Sequence, residues 1–134
     1  MKKSQIDLCH DIAKEFHEFT HFQKHVCPVA GMVNDLRIGS EAICVAYLHD
    51  ILEDTELDRG ALEDEGVFTE IIDYVDILTR SKDDDYLDYI LMCKEQPITR
   101  YVKLCDIQQN LTRFDKPKGT LYHKYRLAEH ILKN

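Results

Sequence analysis

The segment HDILEDT, starting at His49, places one imidazole and three carboxylates within about two helical turns. On a helix, His49–Glu53 and Asp50–Asp54 are four residues apart, so their side chains can converge. Another acid, Asp106, lies in YVKLCDIQQNL, with Asn110 four residues beyond it. His25 opens the stretch HVCPVAGMV. Together His25, His49, Asp50 and Asp106 offer two imidazoles and two carboxylates. That mixed N/O set suits Mn²⁺, Fe²⁺, Co²⁺ or Zn²⁺ better than Ca²⁺ or a thiolate-held structural zinc. Such an ion lowers the pKa of water toward neutrality and neutralises phosphate oxygens. Glu53, one turn from His49, could orient that water or accept its proton.

Each piece also has a plainer reading. HDILEDT can be a helix end with solvated acids, Asp106 a cap or salt-bridge partner, and His25 a structural histidine. A second His-Asp pair, His10-Asp11, serves as a decoy. In the first helix Ile6, Leu8, Cys9, Ile12, Ala13, Phe16 and Phe19 share one face, with Asp11 roughly opposite and His10 at the margin. That pair is expected on a solvated surface. The helix SEAICVAYLHDILEDT differs, because apolar residues surround it on all sides and mark it as buried. Its His49, Asp50, Glu53 and Asp54 fall on one arc, where burial without a counter-charge would cost several kcal/mol. A divalent cation supplies that charge.

The elements that must position these residues read as helices nearly throughout. The pattern predicts eight. The first runs from about residue 4, with Ser4 as its N-cap, to about 19, and the second from about 24 to 36. Gly39-Ser40 opens a third, which continues to about 54. A short helix lies between Asp58 and Gly66, and a fifth starts near Thr69 with Ile71, Ile72, Val75 and Leu78 on its inner face. The sixth follows Asp83-Asp84-Asp85, the seventh begins after Pro97, and the last starts near Thr120. No alternating strand pattern occurs. The expected fold is all-α, a compact helical bundle forming a single domain over residues 1–134.

Composition limits what this domain can do. Its 134 residues are 44% hydrophobic and 31% charged, enough to bury one core without staples. A net charge of −8 repels phosphate backbones and argues against a nucleic-acid polymer as partner. A small anionic substrate stays compatible, since a bound cation inverts the local field. The five cysteines are odd in number and contain no C-x-x-C, as expected of buried apolar side chains in a reducing compartment. With no apolar run of membrane length and no apolar leader in MKKSQIDLCHDIAKEF, a cytoplasmic protein is expected.

The residues above, in this order, resemble the HD-domain metal-dependent phosphohydrolases, and most nearly the hydrolase domain of the RelA/SpoT group and its small stand-alone relatives. The resemblance spans about residue 12 to 132. It rests on His25 with Val29-Ala30, AYLHDILEDT, LTR ending at Arg80, DYLDYI beginning at Asp85, and VKLCDIQQNL. It implies an HD-type bundle in which His25, His49, Asp50 and Asp106 hold one divalent ion, usually Mn²⁺. It further implies that Glu53 and Asp54 handle the attacking water, that Asn110 contacts the substrate sugar or phosphate, and that Arg80 and Tyr86 lie near the nucleotide. The reaction implied is removal of pyrophosphate from the 3′ position of guanosine tetra- or pentaphosphate, although some relatives act on other nucleotides. A homodimer is compatible with this reading.

The sequence departs from the family in three places. HEFTHFQKH, from His17 to His25, replaces a longer basic loop that helps to hold the base. Val26 stands where the family has Pro, and Ile107 where a basic residue is common. Weak grip on the base is therefore expected. Three functions follow: a (p)ppGpp-like pyrophosphohydrolase, an HD-type nucleotidase or phosphodiesterase on another nucleotide, or a non-catalytic nucleotide-binding module. The acidic pair Glu53-Asp54 favours the first two.

Overall fold

Ser4 begins the folded chain by accepting a hydrogen bond from the Asp7 N–H at 3.1 Å, which caps α1 (Gln5–Phe16). The computed structural model describes residues 3–134; the first two residues of the expected 1–134 domain lie outside the described residues. The helix after α1 arrives earlier than the pattern predicts. At His17 the backbone is extended (φ −80°, ψ 153°), so α1 ends there rather than at Phe19. Glu18 then caps α2 (Phe19–His21), which runs through a π-helical turn (Phe22–Val26) into α3 (Cys27–Leu36). Arg37, with φ 55°, and Gly39, with φ 111°, turn the chain into α4 (Ser40–Leu48).

Here lies the main departure from expectation. The third predicted helix is continuous to about 54, but α4 stops at Leu48 and a separate turn, α5 (Ile51–Asp54), follows. Asp50, at φ −104° and ψ 0°, sits in the sparsely populated bridge region between them. Hydrophobic periodicity continues through this break, so apolar spacing could not reveal it. Asp58 caps α6 (Arg59–Asp64), and Gly66, with φ 98°, stops it as expected. Next come α7 (Thr69–Leu78), α8 (Tyr86–Lys94) capped by Asp85, α9 (Pro97–Leu111) with proline in its first turn, and α10 (Thr120–Lys133). All regular elements among the described residues are helical.

The near-uniform apolar character of α4 has a direct structural result. Ala42, Cys44, Val45, Ala46 and Leu48 are all buried, because α4 packs against α1, α3, α7 and α9 at once. Likewise α7 buries Ile71, Ile72, Val75 and Leu78, the face its sequence predicts. Four of the five cysteines are buried, Cys27 is partly so, and all are free thiols. The long α9, which carries Asp106, is braced at its start by Thr99. This fully buried hydroxyl donates to the Cys93 carbonyl at 2.6 Å and so ties the end of α8 to α9. Thr99→Val keeps the shape but removes the donor. We expect a loss of about 1–2 kcal/mol in urea unfolding at an unchanged m-value. An unaltered midpoint would show that the tie contributes nothing.

Candidate metal and phosphate site

Three parts of the chain bring the predicted ligand set together. His25 comes from the π-helical turn, His49 and Asp50 from the break after α4, and Asp106 from the middle of α9. His25 Nε2 lies 2.8 Å from Asp106 Oδ1 and 3.3 Å from His49 Nε2. His49 Nε2 is 3.1 Å from Asp50 Oδ2 and 3.4 Å from Asp106 Oδ1. Ligand atoms about 2.1 Å from a shared ion stand roughly 3.0–4.2 Å apart. The observed spacings suit one divalent ion.

The tautomer of His49 sharpens this fit. Its Nδ1 donates to the Ala46 carbonyl at 2.6 Å, so the proton of a neutral ring is on that side. The bare Nε2 then faces two carboxylate oxygens, which is repulsive unless a cation lies between them. A proton can serve: burial works against an imidazolium here, yet Asp50 and Asp106 hold the His49 pKa well above its usual value. A divalent ion serves the same need and satisfies all four donors. The break at Asp50 supports this geometry, because it frees the Asp50 carboxylate from the regular helical track.

Lys103, which the sequence offers only as one of several cations able to receive phosphates, lies one turn before Asp106 and bonds Asp106 Oδ2 at 2.9 Å. Burial opposes the charge on both partners. Even so, Asp106 drives the Lys103 pKa well up, and Lys103 with His49 keeps the Asp106 carboxyl well below its usual range. Ile107, where the family favours a basic residue, is fully buried in the core. The cation beside Asp106 comes from Lys103 instead. Its sequence signal was the i,i+3 spacing within VKLCD.

Glu53 and Asp54 lie in α5, beyond the break after Leu48, and the Asp54 N–H bonds the Asp50 carbonyl at 2.9 Å, so Asp50 and Asp54 keep their helical i,i+4 relation. Glu53 accepts a hydrogen bond from the Arg80 backbone N–H. Burial raises its carboxyl pKa, opposed by that N–H and reinforced by Asp50. Asp54 Oδ2 lies 3.6 Å from His21 Nε2, and burial followed by Asp50 raises its carboxyl too. Asn110 Nδ2 is 3.4 Å from Asp106 Oδ1, which places it beside the cluster.

The Arg80 guanidinium lies over the Tyr86 ring, 5.0 Å from its centroid, and Lys124 Nζ lies 4.0 Å from the same centroid. Burial, then Arg80 and Lys103, lower the Lys124 pKa, so three cations crowd this side of the site. Arg80 Nε and the Tyr86 hydroxyl are buried without hydrogen-bond partners among the described residues. A hollow of about 250 Å³ next to Asn110 is lined by Arg113, Phe114, Leu121 and Tyr125. A larger one of about 590 Å³, bounded by Asn34, Asp35, Arg37, Gly39, Ser40 and Ile43, includes no residue of the cluster.

The decoy pair is less exposed than expected, because the His10 ring packs edge-on against Phe22 and Tyr47. His10 and Asp11 are partly exposed and pair with each other at 2.9 Å, and Asp11 also pairs with Lys3 at 2.6 Å. Two histidines went unmarked in the sequence: His17 and His21, which with Asp54 form a further group of ligand-type atoms. Their signal was the recurrence His17, His21, His25 at four-residue steps, hidden because the stretch was read as a shortened loop.

No family model matches the chain, and no curated protein matches it in sequence. Among solved structures, its fold is similar to that of a metazoan ortholog of SpoT that hydrolyzes ppGpp and plays a role in starvation responses, with a TM-score of 0.72. The match covers 98% of this chain and 85% of that one at 16% identity. The likeness is one of fold, and the all-helical arrangement implied by the RelA/SpoT resemblance is the one found.

Proposed function

We propose that this chain is a metal-dependent phosphohydrolase acting on a phosphate or pyrophosphate ester of a nucleotide, most closely a (p)ppGpp 3′-pyrophosphohydrolase. The observation that carries this reading is the convergence of His25, His49, Asp50 and Asp106. The shared fold with a ppGpp hydrolase supports it. Residues 1–134 act in this reading as one domain, in the cytoplasm, where free thiols such as Cys9 and Cys44 persist.

The four residues hold the ion, with Mn²⁺ the favoured occupant and Fe²⁺, Co²⁺ or Zn²⁺ compatible with the donor set. When bound, such an ion supplies Lewis acidity, which lowers the pKa of water from 15.7 toward about 7–9 and offsets phosphate charge. Glu53, oriented by the Arg80 N–H, takes the proton of the attacking water. Asp54 completes the acidic pair. Arg80, beside Tyr86, receives phosphate oxygens, and Asn110 reaches the sugar or a phosphate.

Base recognition is the weak link. Beyond the extended pair His17-Glu18 the stretch is helical from Phe19 to Val26 and directs histidines toward the metal ligands, which leaves little loop there to read a base. A base reader needs fixed donors and acceptors. We therefore expect guanosine and adenosine forms of one phosphate pattern to differ by no more than about tenfold in kcat/KM, or ~1.4 kcal/mol. The position of phosphate on the ribose should matter far more, since it sets the line of attack on the leaving group. The test compares guanosine 3′,5′-bis(diphosphate), its adenosine counterpart and simple 5′-nucleotides under Mn²⁺. A guanosine preference above about 10³ would mean that another segment, such as Lys82 to Tyr89, builds a base pocket.

A further inference from the structure

Beside the four-residue cluster, His17, His21 and Asp54 each offer a ligand-type atom, all within 4.8 Å of one another. The extended backbone at His17 and the helical turns that follow set His17, His21 and His25 in sequence along one side. Ring centroids lie 5.0 Å apart for His17–His21 and 5.2 Å for His21–His25. The ladder ends against His49, 5.3 Å from His25.

Two contacts show what this ladder lacks. His21 Nε2 lies 3.2 Å from Asp50 Oδ2 and 3.6 Å from Asp54 Oδ2, yet one ring N–H can serve only one carboxylate well. His17 is 7% exposed, and its Nε2 meets no hydrogen-bond partner among the described residues. A buried imidazole nitrogen without a partner is unfavourable, and a cation bonded to it removes that penalty. Asp50 Oδ2 also approaches His49 Nε2 at 3.1 Å, so a single oxygen faces both groups.

We propose that His17, His21 and Asp54 bind a second divalent cation, with Asp50 as the shared ligand that joins the two sites into a two-metal centre. The proposal rests on the reading of the first cluster as a metal site. The donor set, two imidazoles and carboxylate oxygen, selects Mn²⁺, Fe²⁺, Co²⁺ or Zn²⁺ over Ca²⁺ or Mg²⁺. Ligand atoms around one ion stand at most about 4.2 Å apart, so the widest spacings must close slightly. The partly exposed side chains of His21 and Asp54 can make that adjustment. Two-metal centres hold their ions about 3.5–4 Å apart, a distance that one bridging carboxylate spans. Asp54 then belongs to the second cation, and Glu53 is left as the acid–base member of the acidic pair.

The test is a titration of the metal-free full chain with Mn²⁺ alone, read by equilibrium dialysis and by low-temperature electron paramagnetic resonance. The expected result is two Mn²⁺ per chain, with the broad spectrum of a spin-coupled pair. His21→Gln and Asp54→Asn, both at partly exposed positions, should bind one Mn²⁺ and give the six-line spectrum of an isolated ion. His17→Ala should do the same, with helical circular dichroism confirming that it folds. A wild-type chain that binds one uncoupled Mn²⁺, matched by all three variants, overturns the second site and leaves the first intact. A wild-type chain that binds none overturns both.

Discussion

Replacing His49 by alanine should weaken the tightest Mn²⁺ site by more than about 10²-fold, a larger effect than the 10–100-fold typical of losing an outer partner. The side chain contributes one of two imidazole nitrogens, and its orientation is fixed by the Ala46 carbonyl, so no neighbour can replace it. Asp106→Asn should act in the same direction. Asparagine is the better test there, because alanine would also leave the buried Lys103 ammonium unpaired, at a cost of about 3–5 kcal/mol. His10→Ala is the control, since His10 belongs to neither group of ligand-type atoms, bonding Asp11 and packing against Phe22 and Tyr47, and its metal affinity should match the wild type. Metal content is read by mass spectrometry after dialysis. Equal loss in all three variants would remove the four-residue cluster from the account.

Glu53→Gln should keep its metal and lose at least about 10²-fold in turnover, the usual scale for a positioned acid or base. The substitution is selective because a glutamine oxygen can still accept the Arg80 N–H, so the side chain stays in place while its basicity is gone. Burial, reinforced by Asp50, raises the Glu53 carboxyl above its ordinary value, which makes its carboxylate the stronger base toward water. KM should change little if Glu53 acts on the water alone. Full activity in this variant would exclude it from the chemistry.

Much of this arrangement was legible from residue types and spacing. Periodicity found α7 and its buried face because Ile71, Ile72, Val75 and Leu78 repeat with the helix. It marked α4 as buried because no face of it is polar before His49. The four proposed ligands were legible as a donor set, and the structure brings all four together. What escaped was local backbone geometry. The bridge conformation at Asp50 lies within an unbroken apolar pattern, and the extended residue His17 ends α1 where the pattern runs on to Phe19. Both deviations fall on residues of the two groups of ligand-type atoms, Asp50 in the first and His17 in the second. Lys103 escaped for another reason: an amine on a helix reads as a solvated charge until its neighbours are known.

The most direct measurement follows phosphorus-31 resonances of guanosine 3′,5′-bis(diphosphate) incubated with the Mn²⁺-loaded chain. Pyrophosphate should appear in step with guanosine diphosphate, stop when a chelator removes the metal, and resume when Mn²⁺ is restored. The His49→Ala variant should produce none. A fully loaded chain that cleaves neither this compound nor any other nucleotide ester, or cleavage that persists in His49→Ala after chelation, would contradict the assignment of His25, His49, Asp50 and Asp106 to a hydrolytic metal centre.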